Sequence, residues 1–152
     1  MERDFATRLE NERRRAAEAG AADGAARVAR AHILERILTL ACPRCGQAFV
    51  DFEGCFALTC SRAGCGCRFC AYCLTDCGRD AHPHVRTCPK NTAPGRDIYG
   101  DEARFVGAQQ TRRSSMLREY LATLPADVRS RAVRDCAQEL RDLGIAPNDF
   151  IS

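Results

Sequence analysis

Ten of the eleven cysteines lie between Cys42 and Cys88. Two of the intervals, Cys42-Pro-Arg-Cys45 and Cys70-Ala-Tyr-Cys73, are C-x2-C knuckles, each followed by further Cys or His at ligand spacing. A knuckle aims two sulfurs at one point, and two more ligands close a tetrahedron around a metal. The window therefore predicts a module stapled by two zinc ions rather than by a large apolar core. An odd, clustered cysteine count is poor disulfide arithmetic. The first residues, Met1-Glu-Arg-Asp, lack the apolar run of a secretory signal. No stretch approaches the roughly 18 apolar residues of a membrane span. A reducing compartment, cytoplasmic or nuclear, is expected, with no membrane partner.

The formal charge of +3 suggests a polyanion partner only until metal is counted. A zinc ion with four thiolates carries two net negative charges, and one with three thiolates and an imidazole carries one. The filled chain is then close to neutral, and bulk charge gives no case for nucleic acid. Nor do the cysteine spacings resemble a finger with a recognition helix. What remains of a nucleic-acid reading rests on Arg13-Arg14-Arg15 and Arg112-Arg113.

Four segments follow along the chain. Residues 1–41 read as a helical extension, charged over 1–19, with Gly20-Ala-Ala-Asp-Gly24 predicting a hinge. Beyond it Val28, Ile33, Ile37, Leu38 and Leu40 mark a second helix. His32, on that helix, reads as a packing or surface residue. Residues 42–88 form the metal module and residues 89–100 a loop. Residues 101–152 read as a helical pair: 101–124, then 126–143 with Val128, Val133, Cys136, Leu140 and Leu143 at helical period. The fold class expected is a small α+β zinc-stabilised module with short β-hairpins, flanked by N- and C-terminal α-helices.

Cys42, Cys45, Cys60 and Cys65 form the first expected metal site. A hairpin pairing Ala48-Phe49-Val50 with Phe56-Ala57-Leu58 around Phe52-Glu53-Gly54 would carry Cys60 back beside the first knuckle. Cys65-Gly-Cys67 offers two candidates for one position. The second site begins with Cys70 and Cys73 and draws on Cys77, His82, His84 and Cys88. His84 and Cys88, four apart, share a helical face and are the chosen pair, with His82 the competitor for His84. Four-ligand sets with no open position are structural zinc sites. The histidine and the repeated knuckle favour zinc over an iron–sulfur cluster. Cys55, Cys67, Cys77 and Cys136 are left over.

The run Cys42-x2-Cys45-x9-Cys55-x4-Cys60-x4-Cys65-x4-Cys70-x2-Cys73 resembles the catalytic Rcat domain of RING-between-RING ubiquitin ligases. The resemblance covers about residues 40–88, and Glu53-Gly54-Cys55 stands where that family has a Gly-Gly-Cys-like turn. It implies two zincs in a linear arrangement and Cys55 as the active thiol. That thiol would accept ubiquitin as a thioester from a conjugating enzyme and pass it to an amine. Two positions depart from the pattern: Ala57 stands where the family carries a histidine base, and Arg68 where an acidic residue falls. Two function classes follow, a ubiquitin-transfer module acting through Cys55 and a noncatalytic zinc-binding module that holds a protein partner. A third, nucleic-acid binding, has the least support.

Overall fold

Alanine and arginine dominate residues 2–30, which lie in one uninterrupted helix. The computed structural model describes residues 2–49 and 51–151. Along it run α1 (Glu2–His32), β1 (Ala57–Thr59), β2 (Arg68–Cys70), α2 (His82–Thr87), α3 (Glu102–Leu121), α4 (Ala126–Asp135) and α5 (Ala137–Asp142), with a π-helical turn at Ile33–Leu38. The chain divides into two units, one of residues up to Leu34 together with those from Glu119 on, the other Glu35–Arg118. No helix among the described residues is long and apolar enough to cross a membrane.

In the first unit α1 packs against α4. The predicted hinge at Gly20–Gly24 is absent, because α1 continues through it. Each glycine costs a helix about 1 kcal/mol relative to alanine, a weakening rather than a break. The turn that follows is anchored: Ala26 and Ala29 are buried and Asp23 forms an ion pair with Arg131. Val28, expected on the apolar stripe, is 70% exposed. The buried stripe runs through Ala26 and Ala29, small residues that let α4 approach closely, to Ile33, which is buried as expected. The predicted 126–143 helix is two helices, broken at Cys136 (φ −99°, ψ 7°). Cys136 is fully buried, as its place on the apolar stripe suggested. His32 stacks on Tyr120, ring centroids 4.1 Å apart.

The second unit holds the cysteines. Its sheet is one antiparallel pair, Ala57↔Cys70, Leu58↔Phe69 and Thr59↔Arg68. The expected hairpin between 48–50 and 56–58 does not form, and Val50 lies outside the described residues. Ala48 bridges back to Ala41 and Phe49 N–H donates to Leu40 O at 2.8 Å. Each metal-binding turn is thus itself a hairpin loop. The 56–58 segment pairs with β2 and with Ile98 instead, which leaves 48–49 to pair back across the first knuckle. Phe56 is central to the buried cluster: its ring lies 4.8 Å from Tyr72 and 5.4 Å from Phe52, which stacks on Phe105 at 4.2 Å.

Residues 89–100 were expected to be a plain loop, yet part of them pairs with the Cys55 segment. Phe56 N–H donates to Ile98 O at 2.7 Å, and Gly100 N–H to Gly54 O at 3.0 Å. Gly100 must be glycine: a Cβ there would meet Phe56 Cε1 at 2.9 Å. Buried Asn91 fixes the approach, donating to Val85 O at 2.8 Å and accepting from Ala93 N–H at 2.9 Å. Arg112 and Arg113 of α3 turn inward. Arg112 Nη1 donates to Ile37 O at 3.3 Å and Arg113 Nε to Leu38 O at 2.9 Å. These are carbonyls that a helix end leaves unmet, and the dipole there favours cations.

Candidate metal centres and the Cys55 site

The fold gathers eight side chains into two sets of four, Cys42, Cys45, Cys60, Cys65 and Cys70, Cys73, His84, Cys88. Within each set the donor atoms all lie within 4.8 Å of one another. A tetrahedral zinc with Zn–S near 2.3 Å requires sulfurs about 3.8 Å apart. Cys42 and Cys65 sulfurs are 3.8 Å apart, those of Cys45 and Cys60 3.6 Å, and Cys73 Sγ lies 3.2 Å from His84 Nε2. The donor chemistry fits equally well, since thiolates and a neutral imidazole are the ligands zinc prefers. Each set can hold one zinc ion, two in all.

Proton affinities inside the sets show why a cation belongs there. The backbone N–H of Gln47 draws the Cys45 thiol down to about 6. Cys60 accepts the Arg62 N–H, but burial and the three neighbouring thiols push it up to about 12. Burial likewise raises Cys70, whereas Cys73, against its own burial, is brought down to about 7 by the Thr75 hydroxyl, the Thr75 backbone and His84. Four thiolates this close repel one another unless a divalent charge sits among them.

Local structure positions the ligands. In the first knuckle Gly46 (φ 79°) returns its N–H to Cys42 O at 2.9 Å. In the second, Leu74 takes the same left-handed conformation (φ 60°) and donates to Cys70 O at 2.8 Å. Cys60 and Cys65 come from the turn joining β1 to β2. The last two ligands come from α2 and its C-terminal end, where His84 and Cys88 share a face.

Cys65 rather than Cys67 joins the first set. Cys67 is fully buried beside it, its thiol pushed up to about 12, chiefly by burial. Cys77 is half-buried and donates to Thr75 O at 3.3 Å. All eleven cysteines are free thiols. His82 lies outside both sets. Residues on an α-helix advance about 100° each, so His82 points away from the face that carries His84.

What His82 faces is Cys55. Its Nε2 lies 3.7 Å from Cys55 Sγ, and its Nδ1 is 2.5 Å from Asp80 Oδ1. Asp80 also accepts the His82 backbone N–H at 3.0 Å. The imidazole hydrogen bond, and then this backbone one, hold the Asp80 carboxyl below its ordinary range. An ionised carboxylate only accepts, so it fixes the proton on Nδ1 and leaves the Nε2 lone pair toward the thiol. Gly54 (φ 99°) makes the turn before Cys55, and Cys55 bridges to Tyr99. Two clefts flank β1, one of about 240 Å³ lined by Asp51, Glu53 and Cys55, the other of about 260 Å³ lined by Arg68, Asp80 and His82. Asp80 carries no signal in the sequence by itself. The interval Asp80-Ala-His82-Pro-His84 could have suggested it, once read as a helix start.

No family model, no curated protein and no solved structure matches this chain.

Proposed function

We propose that residues 42–88 form an Rcat-like domain of the ubiquitin system in which Cys55 carries ubiquitin as a thioester before passing it to an amine. The observation that carries the reading is the line Cys55–His82–Asp80. The histidine missing at Ala57 and the acidic residue replaced by Arg68 have counterparts in His82 and Asp80, supplied from a different element. Zinc in the two clusters would cross-link the turns and α2, and contributes nothing to the reaction itself.

The chemistry balances with the side chains present. The Cys55 thiol gives its proton to His82 Nε2, and Sγ attacks the thioester carbonyl of the charged conjugating enzyme. The enzyme's thiolate leaves and takes that proton. In the second step an amine attacks the Cys55 thioester, loses its proton to His82, and the Cys55 thiolate departs. Asp80 holds the imidazole in the working tautomer throughout, as the third member of such triads does. The acidic pair Asp51 and Glu53 beside Cys55 suits a basic peptide entering as acyl donor.

Zinc-loaded protein mixed with ubiquitin-charged conjugating enzymes, and with a RING domain supplied separately, tests this on nonreducing gels. A thiol-sensitive ubiquitin adduct that disappears in Cys55→Ala is expected. No adduct across a broad enzyme panel, with two zincs bound, would overturn transfer and leave a noncatalytic module that holds a protein partner.

A further inference from the structure

Away from Cys55, a cleft of about 540 Å³ is lined by Tyr72, Lys90, Thr92 and the α3 residues from Arg104 to Ser115 that include Arg112. Three cationic side chains line it and no carboxylate does. Arg112 is the unusual one. It is 1% exposed, and its hydrogen bonds go to Gln109 Oε1 at 2.8 Å, Ile37 O at 3.3 Å and Met116 Sδ at 3.2 Å. None of these partners is charged. Its Nη2 makes no hydrogen bond, and neither does the Tyr72 hydroxyl, although Arg104 stands close to it.

Among the described residues these are the two buried side-chain polar atoms left unsatisfied, and both belong to residues lining the same cleft. Buried polar groups in folded proteins are nearly always paired, and a buried charge without a counter-ion is costly. Capping the Ile37 carbonyl accounts for Nη1 and leaves Nη2 unexplained. Burial, and then the charge of Arg113, draw the Arg112 guanidinium down to about 10, the response of a cation lacking an anion.

We propose that this cleft binds the phosphate group of a small phosphorylated molecule. Arg112 and Tyr72 meet its oxygens at the buried end, and Lys90 and Arg104 close on it from the exposed end. A dianion matches three cations better than a carboxylate does, and the guanidinium fork pairs two phosphate oxygens at once. The hydroxyls of Thr92, Thr111 and Ser115 supply further donors. The volume exceeds that of a bare phosphate and falls among small-molecule sites. An organic remainder can therefore lie against Gly107 and Ala108. The inference is independent of any role for Cys55.

Calorimetric titration of the full, zinc-loaded chain with inorganic phosphate, phenyl phosphate and benzoate at constant ionic strength tests it. Saturable binding is expected for both phosphates, tighter for phenyl phosphate if the remainder is held, and none for benzoate. Lys90→Gln, a change at an exposed side chain, should weaken phosphate binding about tenfold, the worth of one charge-assisted hydrogen bond. Arg104→Gln should do the same, and Arg112→Lys, if it folds, should lose more. Absence of saturable binding by either phosphate, benzoate binding as tightly as phenyl phosphate, or Lys90 and Arg104 variants that bind phosphate as tightly as the unchanged chain would overturn it.

Discussion

The two metal clusters begin alike and finish differently. Both start from a C-x2-C knuckle closed by a residue in the left-handed conformation, Gly46 in one and Leu74 in the other. The first is completed by Cys60 and Cys65 from a turn, the second by His84 and Cys88 from α2. A turn-completed cluster ties loops together and ends there. A helix-completed cluster fixes the rotation of a helix, and whatever stands on the opposite face inherits that orientation. His82 is such a residue, so the second cluster fixes the helix that carries His82 to Cys55, and the first ties the turn between β1 and β2 to the first knuckle.

The largest effects should come from removing ligands. Structural zinc supplies on the order of 10–16 kcal/mol of folding free energy per site in small zinc modules. Chelation of both ions is therefore expected to unfold the Glu35–Arg118 unit, read as loss of near-ultraviolet dichroism. Single replacements sharpen the comparison. Cys88→Ser and Cys65→Ser should each drop the zinc count from two to one by native mass spectrometry. Only Cys88→Ser should release α2 and abolish Cys55-dependent adduct formation. Equal loss of adduct in both variants, with the unit still folded, would break the division of labour drawn above.

An intermediate effect is expected at the opposite face of α2. If Cys55 carries the transfer proposed above, His82→Gln should slow it by about 10²–10⁴-fold, the usual worth of a general base, while both zincs stay bound. Loss of a zinc in this variant would instead make His82 a ligand.

The smallest prediction concerns the knuckles themselves. Gly46→Ala puts a Cβ where no atom lies within 4 Å, so its cost is backbone alone, about 1–2 kcal/mol for a left-handed residue. A greater fall in stability by denaturant titration would show that the first knuckle is packed more tightly than it looks. Leu74 tolerates the same conformation because its side chain packs against the buried cluster of the unit.

Much of this was legible in the cysteine spacing, because a metal site is built from short intervals with a fixed geometric purpose. Choosing His84 over His82 needed only helical phase. The hairpin expected around Phe52 failed because its two arms find other partners, 48–49 across the first knuckle and 56–58 on β2 and Ile98, and pattern alone did not rank these pairings. The meeting of Asp80 and His82 with Cys55 was at most hinted at by their spacing, because it depends on where a six-residue helix begins and how it is turned. Arg112 and Arg113 misled in the other direction. Adjacent arginines read as a basic surface, but both turn inward and each gives a donor to the Ile37 or Leu38 carbonyl, partners about 75 positions away in the chain that no local pattern announces. The helix through Gly20 and Gly24 shows the limit of punctuation rules, since packing outweighs two weak residues.

Because α2 serves the second cluster on one face and Cys55 on the other, its spacing is not free to drift. One residue inserted or lost between His82 and His84 would turn one of them out of place by about 100°. Substitutions at Pro83 or Arg86 would leave both roles standing. Descendants of this arrangement should therefore vary in composition along α2 but not in count. They would be recognisable by an Asp-x-His-x-His-x3-Cys string, even where the remainder of the chain has diverged beyond alignment.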